Sequence, residues 1–372
     1  MNKTVLLTLA VNFLYVVIFG QRPVPAYKNE ELRIDQFSRR TVTLNSSEDP
    51  INLQNVKSFE VVDARPDTNA LGLALIRHTP FFAVLAGGFV NDIQQFLDSS
   101  VHFVKRDSFS VVMVVKKFWI TAGLDEEIVQ QIQNTDVDTS TKKISSLLAN
   151  IEFYLKRGSD YFILYRFDTT ISRNAYVSRD ASELAEQGLR LSLIKLKDME
   201  TKFQSISETK RKFTWNEIEA HIQKQFDIPI LKDSVLVRGV YFSFEEFKNN
   251  NPRQRDFEVD KDKLADLIFI KQSDGKNNPV RDAWGYCDGK NLYVRSMENY
   301  FLLQREENAF YIYGAKEFKH KKLAKDPGIN AGPNTVAGGT TQYKNTLQKT
   351  SKRHLALELK PYALNWDNGE LN

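Results

Sequence analysis

A chain of 372 residues, 42% apolar and 26% charged, is long enough to bury two separate cores, and its composition excludes a wholly disordered or multi-span membrane protein. The formal charge of +4 is small for this length and argues against a dedicated nucleic-acid binder. Cys287 is the single cysteine, so no intramolecular disulfide can form.

The N terminus has the form of a secretory leader. Lys3 supplies the basic start, residues 5–19 form an apolar run broken by Thr8 and Asn12, and Gly20-Gln21 offers a cleavage point before Arg22-Pro-Val-Pro. That run is shorter than the ~20 residues needed to span a bilayer, and no second such run follows, so the mature chain is expected to have no transmembrane span. An uncleaved anchor is the competing reading. Without a cysteine at the cleavage point a lipoprotein is excluded, and an exported chain without disulfides suits a bacterial periplasm or exterior.

Residues 21–57 are polar, with one short strand candidate at 39–44. Residues 58–63 read as a buried strand stopped by Pro66 and Asp67, and Gly72-Leu-Ala-Leu-Ile resumes an extended segment. Thr79-Pro80 has the form of a helix start. Phe82, Leu85, Phe89, Ile93, Phe96 and Leu97 then recur at helical spacing, interrupted by Gly87-Gly88. Residues 109–120 are apolar almost throughout and β-branched, as in a central strand covered on both faces. Ile144, Leu147, Leu148, Ile151 and Leu155 predict a second amphipathic helix, and residues 161–167 a further strand ending at Asp168. Asp180-Ala-Ser-Glu183 and Thr214-Trp-Asn-Glu217 have the spacing of capping boxes.

The expected fold class is α+β: a layered helix-and-sheet domain over residues 58–228, then a small antiparallel domain with one short helix over 229–315. Ser243-Phe-Glu-Glu246 caps that helix, and Asp274-Gly275 and Asp288-Gly289 predict two-residue hairpins between strands at 267–271, 280–287, 292–295, 300–305 and 310–313. Residues 316–350 are basic and then Gly/Pro-rich, the composition of a flexible tail, and 351–372 hold one last strand candidate at 355–359.

No nucleophile elbow, zinc-protease helix or phosphate loop is present. Asp260-Lys-Asp-Lys-Leu lacks the glycine of a calcium-binding loop, and the five histidines show no ligand spacing. The sequence therefore predicts no catalytic residue, metal or cofactor. Cys287, at a strand end beside a turn, reads as a core residue. Asp63, Arg65 and Asp67 are the binding candidates of the first domain, because carboxylates flanking an arginine at a strand end could hold an anion or orient a partner. The plain alternative is that Arg65 pairs with its neighbours and locks the corner. In the second domain Trp284, Tyr286 and Asp288 are the candidates, since exposed aromatics on a sheet could stack on sugars or meet a protein. A small sheet also needs such side chains for its own core.

Two resemblances bear on these segments. Gly239-Val-Tyr-Phe-Ser-Phe-Glu-Glu-Phe-Lys-Asn-Asn-Asn-Pro, followed by Trp284-Gly-Tyr-Cys-Asp-Gly-Lys and Tyr300-Phe-Leu-Leu, resembles a module of uncharacterised exported proteins in Bacteroidota-type bacteria, many of which also carry glutamine after the leader. The tryptophan segment is faintly similar to one copy of a WG repeat. More weakly, Val61-Val-Asp-Ala-Arg-Pro-Asp-Thr-Asn-Ala-Leu-Gly is similar to the opening strand of periplasmic auxiliary lipoproteins that serve envelope transport systems. These resemblances imply an envelope location and no particular activity. The expectation is an exported envelope protein that binds or scaffolds without catalysis, its partner an envelope protein or glycan. The alternatives are a hydrolase using Asp63, Asp67 and Asp168 at strand ends, and an assembly factor at the outer membrane. Oligomeric state is left open.

Overall fold

The computed structural model describes residues 33–45, 49–76, 79–103, 109–124, 143–174, 177–261, 266–271, 277–280, 282–296, 299–314 and 360–371. The fold is mixed α+β. Its elements, in order, are β1 (Ser38–Val42), β2 (Ile51–Leu53), β3 (Val56–Asp63), β4 (Gly72–Ile76), β5 (Thr79–Leu85), α1 (Phe89–Ser100), β6 (Val101–Phe103), β7 (Phe109–Leu124), β8 (Lys143–Arg157) and β9 (Asp160–Asn174). There follow α2 (Val177–Met199), α3 (Phe203–Thr209), β10 (Lys212–Phe213), α4 (Trp215–Lys224), α5 (Pro229–Lys232), β11 (Gly239–Tyr241) and α6 (Phe244–Lys248). The remainder is strand: β12 (Phe257–Lys261), β13 (Asp266–Lys271), β14 (Asn277–Val280), β15 (Gly285–Cys287), β16 (Leu292–Ser296), β17 (Asn299–Glu306), β18 (Ala309–Gly314) and β19 (Lys360–Ala363).

The first sheet is built on β7, as its unbroken apolar run predicts. It runs β1-β5-β4-β7-β8-β9-β10, and β3 lies beside the first half of β7. Val111, Met113 and Val115 enter the main core with Leu184, Leu189 and Leu193 of α2 and Ile93 and Leu97 of α1. Val112 and Val114 face the other way, onto Ile218 and Ile222 of α4. A bulge between Val115 and Lys117 resets the alternation, so Phe118 and Ile120 return to the main core. At Gly72 a β-carbon would lie 2.0 Å from the Ile120 carbonyl oxygen, so glycine is what lets β4 close onto β7.

The first half of one predicted helix and the whole of another are strands, while Phe89, Ile93, Phe96 and Leu97 do lie on a helix, α1; the reason is periodicity. Thr79-Pro80 opens β5, where Phe81, Ala83 and Leu85 point into the main core and Phe82 into a separate cluster on the opposite face. A run apolar on both faces matches helical and strand spacing alike. Gly87-Gly88 is the turn into α1, whose start needs φ +82° at Gly88. In β8, Leu147, Ala149, Ile151, Phe153 and Leu155 alternate inward, and Leu148 merely gives the look of a helical stripe. Asp180 lies inside α2 rather than at its cap, whereas Thr214 caps α4 in a reciprocal box with Glu217.

The second sheet, β11-β15-β16-β17-β18-β19, is antiparallel throughout. One face (Tyr241, Cys287, Val294, Phe310) packs on α5, Phe247 of α6 and Trp366. The other (Val240, Tyr286, Tyr293, Tyr300) packs with Phe257 and Ile268 of the three-stranded sheet β12-β13-β14. The strand expected over 280–287 is divided, its ends going to β14 and β15 in different sheets. Gly314 pairs with Lys360, so the chain leaves β18 and returns as β19 at the same place. The leader at 1–20, the stretch 316–350, the strand candidate 355–359, the turn Asp274-Gly275, most of the 260–264 segment and His78, His320 and His354 lie outside the described residues. No helix among the described residues is long and apolar enough to cross a membrane.

Candidate functional site

The Asp63–Asp67 corner is a closed polar knot. β3 ends at Asp63, and the buried Arg65 turns back onto it: Nε donates to Asp63 Oδ1 and NH2 to Asp63 Oδ2, both at 2.8 Å. The same guanidinium donates to the carbonyls of Ala70 and Thr68 at 2.6 and 3.0 Å and lies 3.7 Å over the Phe89 ring. Asp67, also buried, accepts from the Asn69 and Ala70 amides through Oδ1 and from the Tyr311 hydroxyl through Oδ2, at 2.5 Å. Thr68 and Asn69 donate to Glu307, and Asn308 N donates to the Pro66 carbonyl. The corner therefore fastens the first sheet to the β17–β18 hairpin. Around it Phe37, Phe82 and Trp119 pack on Tyr311, with Trp119 stacked at 5.7 Å. Burial pushes the Tyr311 hydroxyl well up, and the charge of Asp67 adds to this, so the tyrosine stays a neutral donor.

Trp284, Tyr286 and Asp288 stand apart from that corner and from one another. Trp284 packs against Phe247 at 4.7 Å and Phe244 at 5.5 Å on the α6 side. Tyr286 is buried on the other face, stacked on Tyr293 at 4.5 Å, with its hydroxyl donating to Asp266 at 3.3 Å. Asp288 is exposed and accepts from the Lys290 and Asn291 amides. The loop it opens has four residues, 288–291, between Cys287 and Leu292. Gly289 alone in that loop takes positive φ, so the Asp-Gly pair does not form the expected two-residue turn. Cys287 is buried, and burial raises its thiol.

Of the polar side chains that the sheet does bring together, Asp168 alone was singled out by the sequence. They lie on the outer face of β7–β9, on the side that α4 covers at one end. The bulge after Val115 sets Lys116 and Lys117 on this face in succession, beside Asn150, Glu152, Tyr154, Arg166 and Asp168 from the facing register positions. Glu152 is buried and accepts from Lys116 Nζ at 2.7 Å and the Tyr154 hydroxyl at 2.8 Å. Burial pushes its carboxyl up, but those hydrogen bonds, with the charges of Lys116 and His221, outweigh this and hold it below the usual range. Burial lowers the Lys117 amine against the pull of Asp367 and Asp168. Arg166 and Asp168 pair at 3.0 Å, and Asn150 bridges them, accepting from Arg166 Nε and donating to Asp168. Asp168 thus sits mid-strand in β9, not at the strand end predicted for it. The signal that could have found this floor was Lys116-Lys117 inside an otherwise apolar strand. Among the described residues no three His, Cys, Asp or Glu side chains come together as a metal site.

A scan of protein-family models finds no match to the chain, and a search of curated proteins finds none. Among solved structures, the crystal structure of protein XCC0632 from Xanthomonas campestris, which carries the family name DUF330, is similar over 46% of this chain and 99% of that one, at 12% identity and a TM-score of 0.27. At that score the likeness carries no argument about fold or function.

Proposed function

We propose that this is an exported protein of the bacterial cell envelope that binds or scaffolds a partner and transforms nothing. In this reading a layered N-terminal domain (58–228) and a small antiparallel domain (229–315) act as one body. The observation that carries it is the Asp63–Arg65–Asp67 knot. The strand-end carboxylates that a hydrolase would need accept hydrogen bonds from the chain itself, and Asp67 is joined to Tyr311 of the second sheet. A carboxylate so engaged serves as a fastener and has no free oxygen for acid–base work. The leader-like segment at residues 1–20 supports export, and an envelope protein or a glycan is the class of partner.

Cell fractionation with N-terminal sequencing tests the location: a mature terminus near Gln21 in the periplasmic or culture fraction is expected, and an intact Met1 on a cytosolic species sinks it. The hydrolase alternative keeps one supporting feature, the depressed Lys117 amine beside Asp168. Turnover of a glycan, peptide or ester that disappears in Lys117→Met, with folding intact, would establish that alternative against the binding role.

A further inference from the structure

We propose that the outer edge of β9 is a self-association site, at which a second copy of this chain adds its own β9 antiparallel and joins the two large sheets into one. Among the described residues β10 is the strand on that edge, and it pairs with Tyr161 and Phe162 alone. From residue 163 to residue 174 the strand has no partner on that side among the described residues, and in an antiparallel ladder every second residue there aims its amide and carbonyl outward. Such an edge is a template for another strand unless something covers or specifies it.

The side chains specify it. Antiparallel pairing of two identical strands about a two-fold axis places one residue opposite its own copy and keeps the two faces of the sheet in common. With Phe167 at the axis, Arg166 of each copy lies opposite Asp168 of the other, on the outer face where both are exposed. Moving the axis to Asp168 or to Arg166 sets like charges opposite each other, which disfavours those registers. Centring on Thr169 places Asp168 opposite Thr170 and Arg166 opposite Ser172, with no charge pair formed. One register alone makes two cross-strand ion pairs, and the same two charges discourage unrelated strands. On the inner face that register sets Phe167 against Phe167 and Tyr165 against Thr169. The flank of α2 above the edge suits a partner as well. Lys195 stands 5.3 Å over the Tyr165 ring, and Leu191, one turn earlier on the same flank, is 40% exposed.

Sedimentation equilibrium over a concentration series tests this, using the chain as it accumulates in cells with its own N terminus. The wild type is expected to be a dimer. Arg166→Asp and Asp168→Arg each set two like-charge pairs across the axis and are expected to weaken self-association at least about tenfold. Mixing the two variants restores both ion pairs, so a heterodimer is expected from two species that are monomeric alone; Arg166→Asp/Asp168→Arg together restores the homodimer. Melting temperatures near wild type show that the singly reversed chains fold, since both side chains are exposed. A monomeric wild type overturns the proposal, as does a dimer indifferent to either reversal. Reversed chains that fold but fail to pair when mixed overturn the register and with it the site.

Discussion

Replacing Tyr311 by phenylalanine removes one oxygen at the point where the two sheets are joined. The ring keeps its stack on Trp119 and its edge contact with Phe82 at 5.5 Å, so packing is nearly unchanged. What is lost is a 2.5 Å hydrogen bond to Asp67 Oδ2, inside a region where Tyr311 is 0% and Asp67 4% exposed. Hydrogen bonds to charged groups contribute about 1.5–3 kcal/mol, and a buried acceptor left without a donor sits at the upper part of that range, so a loss of about 2–3 kcal/mol is expected. Tyr311→Ala also leaves a cavity, which should add about 3–5 kcal/mol to that loss. Urea unfolding followed by far-ultraviolet circular dichroism gives the midpoint and slope for each chain. Tyr311→Phe should shift the midpoint with the slope kept. A double-mutant cycle with Asp67→Asn should return a coupling of about 1–3 kcal/mol. A loss under about 0.5 kcal/mol, the scale of surface substitutions, would show that the corner does not fasten the sheets and would refute the reasoning.

Three other outcomes follow from the same structure. Lys116→Met leaves the buried Glu152 carboxylate with Tyr154 as its remaining hydrogen-bond donor and should cost about 3 kcal/mol near neutral pH. The wild-type Glu152 carboxyl is held low, so its stabilisation is present above the unfolded value of about 4.3 and fades as pH falls; the variant's penalty should shrink over that same fall, and a penalty independent of pH speaks against an unpaired charge. Gly72→Ala drives a β-carbon against the Ile120 carbonyl, and an overpacking cost at or above about 3 kcal/mol should appear as a lowered urea midpoint; a neutral effect would mean that β4 and β7 part easily. Burial pushes the hydroxyl of Tyr300 up to about 12 and raises Tyr241, Tyr286 and Tyr311 further, so stability should be full below about pH 10, where unfolded tyrosines ionise, and fall as pH climbs through 12. Tyrosinate absorbance from these residues appearing near pH 10 while the dichroism stays native would contradict that.

The sequence was most legible where one physical pattern had a single solution. β7 is apolar on both faces because both faces are covered, and a helix of that composition would need burial all round. Thr214 with Glu217, and Ser243 with Glu246, mark helix starts because a hydroxyl three residues before a carboxylate meets two orphan amides. Legibility failed where spacing was degenerate. Residues 81–85 and 147–155 match both periods, and the choice was made by partners far along the chain: Tyr311 for Phe82, and α2 for the inward residues of β8. No local rule contains that information.

The same distinction explains the site. Asp63, Arg65 and Asp67 were visible because they are adjacent in sequence, but what they do is decided by Tyr311, Glu307 and Asn308, some 240 residues on. The outer floor was not legible as a site for the converse reason: Lys117, Asn150 and Asp168 are far apart in sequence, on three strands, and register makes them neighbours. A bulge of one residue is what puts two successive lysines on that floor, and bulges leave no reliable mark in a sequence. If deleting Lys116 restored strict alternation, Lys117 would take the place of the bulged residue and Phe118 and Ile120 would keep their faces. The main core would then survive while the Glu152 carboxylate lost the lysine that donates to it. A fold that tolerates this deletion with the core intact, yet loses the pH dependence assigned to Glu152, would show that the bulge is there for the face and not for the core.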